Sequence, residues 1–179
     1  GTSNSVTVDF ASNATSGNLT VRGVNSCGSG AVSSNYAVTV NPLPSAAGTI
    51  TGTATVCQGQ SGVSYSVPAI TGATSYSWAY SGLGATITGT TNSVTISFAS
   101  NATSGNLTVR GVNGCGNGAV SPNYAIAVNP LPAAAGTITG SATVCQGATA
   151  VAYSVPVISN ATSYEWIYTG TGATISGTT

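Results

Sequence analysis

Apolar and polar residues alternate along much of this chain. Ser93–Ser100 reads SVTISFAS, with Val94, Ile96 and Phe98 on one face and Ser93, Thr95 and Ser97 on the other. Val6, Val8 and Phe10 repeat the pattern, and so do Val63, Tyr65 and Val67, then Tyr76, Trp78 and Tyr80, then Tyr124, Ile126 and Val128. A period of two with β-branched and aromatic residues, broken by Gly, Asn and Pro, predicts half-buried β-strands. No stretch carries an i, i+3, i+4, i+7 stripe, and Ser, Thr and Gly are too frequent for stable helices.

The pattern then repeats as a whole. VCQG occurs at Val56–Gly59 and Val144–Gly147, and NPLP at Asn41–Pro44 and Asn129–Pro132. Residues 1–91 align without a gap on residues 89–179 with 69 identities, a period of 88 residues. That is the size of an immunoglobulin-like sandwich and too long for a solenoid turn or a propeller blade. With NPLP as the junction, residues 45–132 form one complete Ig-like repeat. Residues 1–44 are the C-terminal half of a preceding repeat, and 133–179 the N-terminal half of the next. In the complete unit, strand A is expected near Gly48–Thr51, continuing through Ala54–Cys57. B follows near Val63–Val67, C near Ser75–Tyr80 and C′ near Ala85–Thr88. E is expected near Ser93–Ala99, F near Leu107–Val112 and G near Asn123–Val128. Trp78 on strand C falls where such sandwiches keep a core tryptophan. The chain starts and stops at one point of the repeat. It therefore reads as a window on a long tandem array, or else as a subunit whose front half completes the back half of the next, head to tail. Either way the result is an open linear polymer.

Composition narrows the function. Only Asp9, Arg22, Arg110 and Glu165 carry formal charge, 2% of the chain, and there is no His. Ordinary globular chains are about a quarter charged. No basic surface for nucleic acid or a polybasic membrane anchor is present. No apolar run approaches the ~20 residues that span a bilayer, so no membrane insertion is expected in this segment. One Asp and one Glu, neither repeated between units, leave no catalytic set, so no enzyme activity and no catalytic residue are expected. No metal site or cofactor is expected either. Hydroxyl and amide side chains hold such a surface in water almost without charge. They also leave sheet edges without charged protection, so lateral self-association is a second route of contact between copies.

The unit running AGTITG…VCQG…YSVP…ATSYSW…GATITG…SVTISF…SGNLTVRGVNGCG…AVNP resembles the PKD-like, Ig-like tandem repeats of giant secreted proteins of gliding and related bacteria. The resemblance covers the whole chain. It implies an all-β array of antiparallel sandwiches belonging to a cell-surface adhesin exported by the type IX route. The calcium-binding acids of cadherin-like relatives are absent.

Four cysteines are the remaining chemistry. Cys57 and Cys145 follow strand A, and Cys27 and Cys115 lie in the F–G turn. Paired spacing in a secreted-looking β protein reads as a disulfide framework. A Cys57–Cys115 bond within one domain is the favoured arrangement, worth about 4 kcal/mol by loop-closure entropy. A bond between axial neighbours is the alternative, because the A–B and F–G turns lie at opposite poles of such a sandwich. Cys27 and Cys145 then need partners in adjoining repeats, or each other across two copies. Arg22 and Arg110 share one outward position on strand F, and Glu165 replaces Ser77 on strand C. These positions predict a Glu165–Arg22 contact between copies. Pro42, Pro44, Pro130 and Pro132 make the linkers semi-rigid spacers.

Two functions fit. The first is a structural extracellular filament or stalk, the shaft of a surface adhesin, whose partners are neighbouring copies of the same repeat. The second is a multivalent glycan-binding module, which requires outward-facing aromatic rings.

Overall fold

A computed structural model describes residues 3–177. Among them there is no helix. The first 44 residues hold β1 (Gly17–Leu19), β2 (Val24–Asn25), β3 (Gly28–Ser29) and β4 (Tyr36–Val38). The middle holds β5 (Thr51–Gly52), β6 (Thr55–Cys57), β7 (Val63–Ser66), β8 (Ser75–Tyr80) and β9 (Ala85–Thr88). It continues with β10 (Ser93–Phe98), β11 (Gly105–Asn113), β12 (Gly116–Asn117) and β13 (Tyr124–Asn129). The last stretch holds β14 (Thr139–Gly140) and β15 (Tyr153–Ser154).

The middle nine strands make two sheets facing one another. One runs β5-β7-β10-β9 and is antiparallel throughout. The other runs β12-β11-β13-β6, with β8 on the free flank of β11. The first strand is therefore divided. β5 pairs β7 in one sheet, and after two residues β6 crosses to lie parallel to β13 in the other. Ala85–Thr88, expected as C′, pairs β10 rather than β8, so it belongs to the A–B–E sheet. The fold is all-β.

The alternation seen in the sequence fixes which side chains meet. On β10, Val94, Ile96 and Phe98 are buried while Ser93, Thr95 and Ser97 face solvent. Leu107 and Val109 of β11 and Ile126 and Val128 of β13 close the core from the opposite sheet, with Ile50, Val56, Val63 and Tyr65 beside them. Phe98 meets Tyr80 edge to face at 5.8 Å between ring centroids. Gly111 is buried where β11 passes the loop before β8. A Cβ there would lie 2.9 Å from Ile70, Ala73 and Pro44 side-chain atoms. That distance is closer than packed carbons tolerate. Trp78 is half-buried at the rim of the core rather than enclosed by it, and its Nε1 donates to the Thr91 carbonyl at 2.9 Å.

Tyr65 is 1% exposed, and its hydroxyl donates to the Thr53 carbonyl at 2.9 Å. Burial, with the neighbouring Tyr124 and Tyr80 phenols adding to it, pushes its pKa up to about 12 from 10. The unfolded chain then releases this proton near pH 10, while the folded one keeps it. The stabilisation is complete below pH 10 and is lost as pH rises towards 12. Thermal melts across pH 9–12 are expected to show a falling midpoint, with a smaller fall in Tyr65→Phe. An unchanged midpoint to pH 12 would refute the assignment.

Candidate self-association interface

The two flanking segments keep the local geometry of the central sandwich but lack its core. β1 pairs β4 with Gly17 opposite Val38, as Gly105 stands opposite Ile126. The Cys27 amide donates to Asn25 Oδ1 at 2.9 Å, as that of Cys115 does to Asn113 Oδ1. On the other side, Thr139 stands opposite Ser154 as Thr51 does opposite Ser66, and the Tyr153 hydroxyl donates to the Ser141 carbonyl. Each segment repeats part of the pairing register of the central sandwich.

What each lacks is in the other. In the central unit β10 is held between β7 and β9, and β11 is flanked by β8. Residues 5–10 correspond to β10 and are unpaired. The equivalents of β7 and β9 lie at 151–154 and 173–176. Residues 163–168 correspond to β8 and form no strand, and their partner, the equivalent of β11, lies at 17–25. Among the described residues no strand pairing joins the two segments within the chain. The chain enters the central sandwich at the end of β11 and leaves it at the other end, so the segments depart from opposite poles. At ~3.3 Å per residue the nine residues of β11 set these poles roughly 30 Å apart.

Exposure measures the deficit. Phe10 is 55% exposed and Phe98 2%; Val21 is 72% and Val109 1%. In the last segment Val144 is 53% exposed against 1% for Val56, and Tyr153 48% against 1% for Tyr65. The same side chain at the same place in the repeat is core in one unit and surface in another. A cleft of about 240 Å³ lies over Ile138, Val155, Ile158, Tyr164 and Trp166. Its central counterpart is the place that Gly111 fills. Gly23, the glycine of the same repeat position, has no atom within 4 Å of a Cβ built on it.

The linkers are clamped from both sides. Upstream, Cys57 pairs with Asn129, and Gln58 Oε1 accepts from the Leu131 amide at 3.4 Å. Downstream, Asn113 Nδ2 donates to the Pro42 and Gly72 carbonyls at 2.9 Å each. Gln58 and Asn113 escaped the sequence reading. Their signal was recurrence beside a cysteine, as Gln146 and Asn25. Pro42, Pro44, Pro130 and Pro132 lie between these clamps.

All four cysteines are free and exposed. The favoured Cys57–Cys115 bond is not formed, and the register says why. Cys57 sits beside Asn129, beyond the Gly105 end of β11, while Cys115 follows Asn113 at the other end. A disulfide needs Cα atoms within about 7 Å. Cys27 and Cys145 occupy the same opposed positions, which also excludes their pairing inside one completed sandwich. Arg110 stands opposite Ser77 on β11 and β8. Arg22 and Glu165, the equivalent positions, are exposed in separate segments.

The aromatic face of β8 is spent on packing. Tyr76, Trp78 and Tyr80 lean on the core, and the Tyr76 and Tyr80 hydroxyls bond the Ile70 amide and the Thr103 carbonyl. Among the described residues no group of three or more potential metal ligands occurs, and no helix is long and apolar enough to cross a membrane.

A family model described as PKD-like domain matches residues 43–126 and again 131–179. The chain belongs to the PKD-like domain family. The two matches begin 88 residues apart, at the two NPLP junctions. No curated protein and no solved structure matches. PKD-like domains are typically non-catalytic structural or binding modules, commonly extracellular.

Proposed function

We propose that this chain forms part of an extracellular filament or stalk, the shaft of a cell-surface adhesin. Its PKD-like repeats are completed head to tail. Residues 133–179 of one copy and 1–44 of the next together form a second sandwich like that of residues 45–132. The observation that carries this reading is the mutual deficit of the two segments: each exposes the counterparts of central core residues, and each holds the sequence counterparts of strands the other lacks. Val6, Val8, Phe10, Leu19, Val21, Ile138, Val144, Val151 and Tyr153 are exposed while their central counterparts are buried, and burying them, at ~1.5–3 kcal/mol each, favours completion.

In the completed sandwich Arg22 stands opposite Glu165. The register of Arg110 with Ser77 supports this pairing, worth under ~1 kcal/mol at an exposed site. Assembly is therefore driven by apolar burial, and with four charges in 179 residues it is nearly indifferent to ionic strength. The free edges β5 and β9 of one sheet, and β6 and β8 of the other, are where filaments would pair laterally.

Electron microscopy of the purified chain, at low and at 1 M salt, tests the proposal. Beaded filaments of even axial spacing at both salt concentrations are expected. Isolated single beads at all protein concentrations would overturn it.

A further inference from the structure

The free cysteines gain partners when the clamps on the linker are read together. On the upstream side of NPLP, Cys57 pairs by backbone with Asn129, the first linker residue, and Gln58 holds Leu131. On the downstream side, the linker carbonyl of Pro42 is held by Asn113, which in turn holds the Cys115 amide. Pro42 and Pro130 are the same repeat position. The A–B turn of one sandwich and the F–G turn of the next thus grip the same four residues, each with a cysteine within two residues of its clamp.

We infer that neighbouring copies are stapled by two disulfides, Cys57 to Cys27 of the next copy and Cys145 to Cys115 of the next copy. The inference rests on head-to-tail completion, which brings an F–G turn from the second copy to each linker. The central linker contacts give one half of each junction, and the 88-residue repeat gives the other. Exposure of all four thiols leaves them open to reagent. These pairs span domains, so they lock the axis of the filament against bending and pulling. Cys57–Cys115 and Cys27–Cys145, both within one sandwich, are excluded by the roughly 30 Å between poles.

The chemistry is thiol–disulfide exchange with a small-molecule disulfide as oxidant. A Cys thiolate attacks oxidised glutathione, forming a mixed disulfide and releasing one glutathione thiolate. The partner thiolate then attacks the protein sulfur of that mixed disulfide and expels the second glutathione. Two protein thiols are oxidised to one disulfide as one glutathione disulfide is reduced to two thiols, with two protons passing to the glutathione leaving groups.

The test incubates assembled full-length chain with oxidised glutathione and resolves it on a non-reducing denaturing gel. A ladder at multiples of 17.2 kDa is expected, collapsing to one band with reductant. Chymotryptic mapping should join Cys57 to Cys27 and Cys145 to Cys115. Cys57→Ala/Cys145→Ala should abolish the ladder, whereas either single variant keeps it, since one staple per junction remains. Light scattering under reductant reads assembly separately. Filaments whose thiols all stay titratable, or that map to Cys57–Cys115, would overturn the staples and leave completion standing. A chain that never assembles under reductant would overturn both.

Discussion

Phe98→Ala is expected to lower the unfolding free energy of the dilute chain by about 3–5 kcal/mol, and Phe10→Ala to leave it unchanged. The two phenylalanines share one repeat position. Phe98 lies on β10 against Tyr80, enclosed by both sheets, and its removal leaves a cavity that the neighbouring Ile96, Leu107 and Ile126 fill only in part. Domains of this size are stable by on the order of 5–15 kcal/mol, so the loss is a large fraction of the total. Phe10 is more than half exposed and holds nothing together in the single chain. Its cost appears on assembly, where it takes the place of Phe98 in the completed sandwich. The same 3–5 kcal/mol then weakens association by roughly two to four decades, since each 1.4 kcal/mol is tenfold. Urea melts followed by circular dichroism, and light scattering against concentration, read the two effects. Equal destabilisation by both substitutions in the dilute chain would mean that residues 1–44 already share a core.

Much of this architecture is legible in the residues. β8, β9, β10 and β13 fall within a residue or two of the expected segments, and on β10 and β13 buried and exposed residues alternate as the pattern requires. The 88-residue period equals the spacing between the starts of the two PKD-like matches. Four things were not legible. The crossing of the first strand from β5 to β6 depends on which sheet each half finds, and short Thr-rich segments carry no mark of that. The placement of Ala85–Thr88 beside β10 rather than β8 is likewise a choice between two equally apolar edges. The cysteine pairing failed for a geometric reason. Recurrence in every unit says that two cysteines belong together, but only the register shows them at opposite poles. Gln58 and Asn113 were hidden because their work is done on backbone carbonyls and amides of the linker, which no side-chain pattern reveals.

Residues 5–10 are expected to pass from an unprotected strand to a core one when the chain is concentrated. In the dilute chain they pair with nothing, and Val6, Val8 and Phe10 lie open to water. In the completed sandwich their amides and carbonyls, which point sideways in the sheet, meet ladder partners from residues 151–154 and 173–176 of another copy. The counterpart segment Ser93–Phe98 shows the end state, paired on both sides with Ser66–Val63 and Thr88–Ala85. Backbone protection scales with the free energy of opening. The change is therefore from almost none to that of a central strand, several decades in exchange rate.

Amide hydrogen exchange at residues 5–10, measured on the full chain below and above its assembly concentration, tests the completion of one half repeat by another copy most directly. The account predicts slow exchange above that concentration, converging on the rate of residues 93–98, and fast exchange below it. Exchange at residues 5–10 that stays fast at every concentration, while 93–98 stay protected, would contradict it.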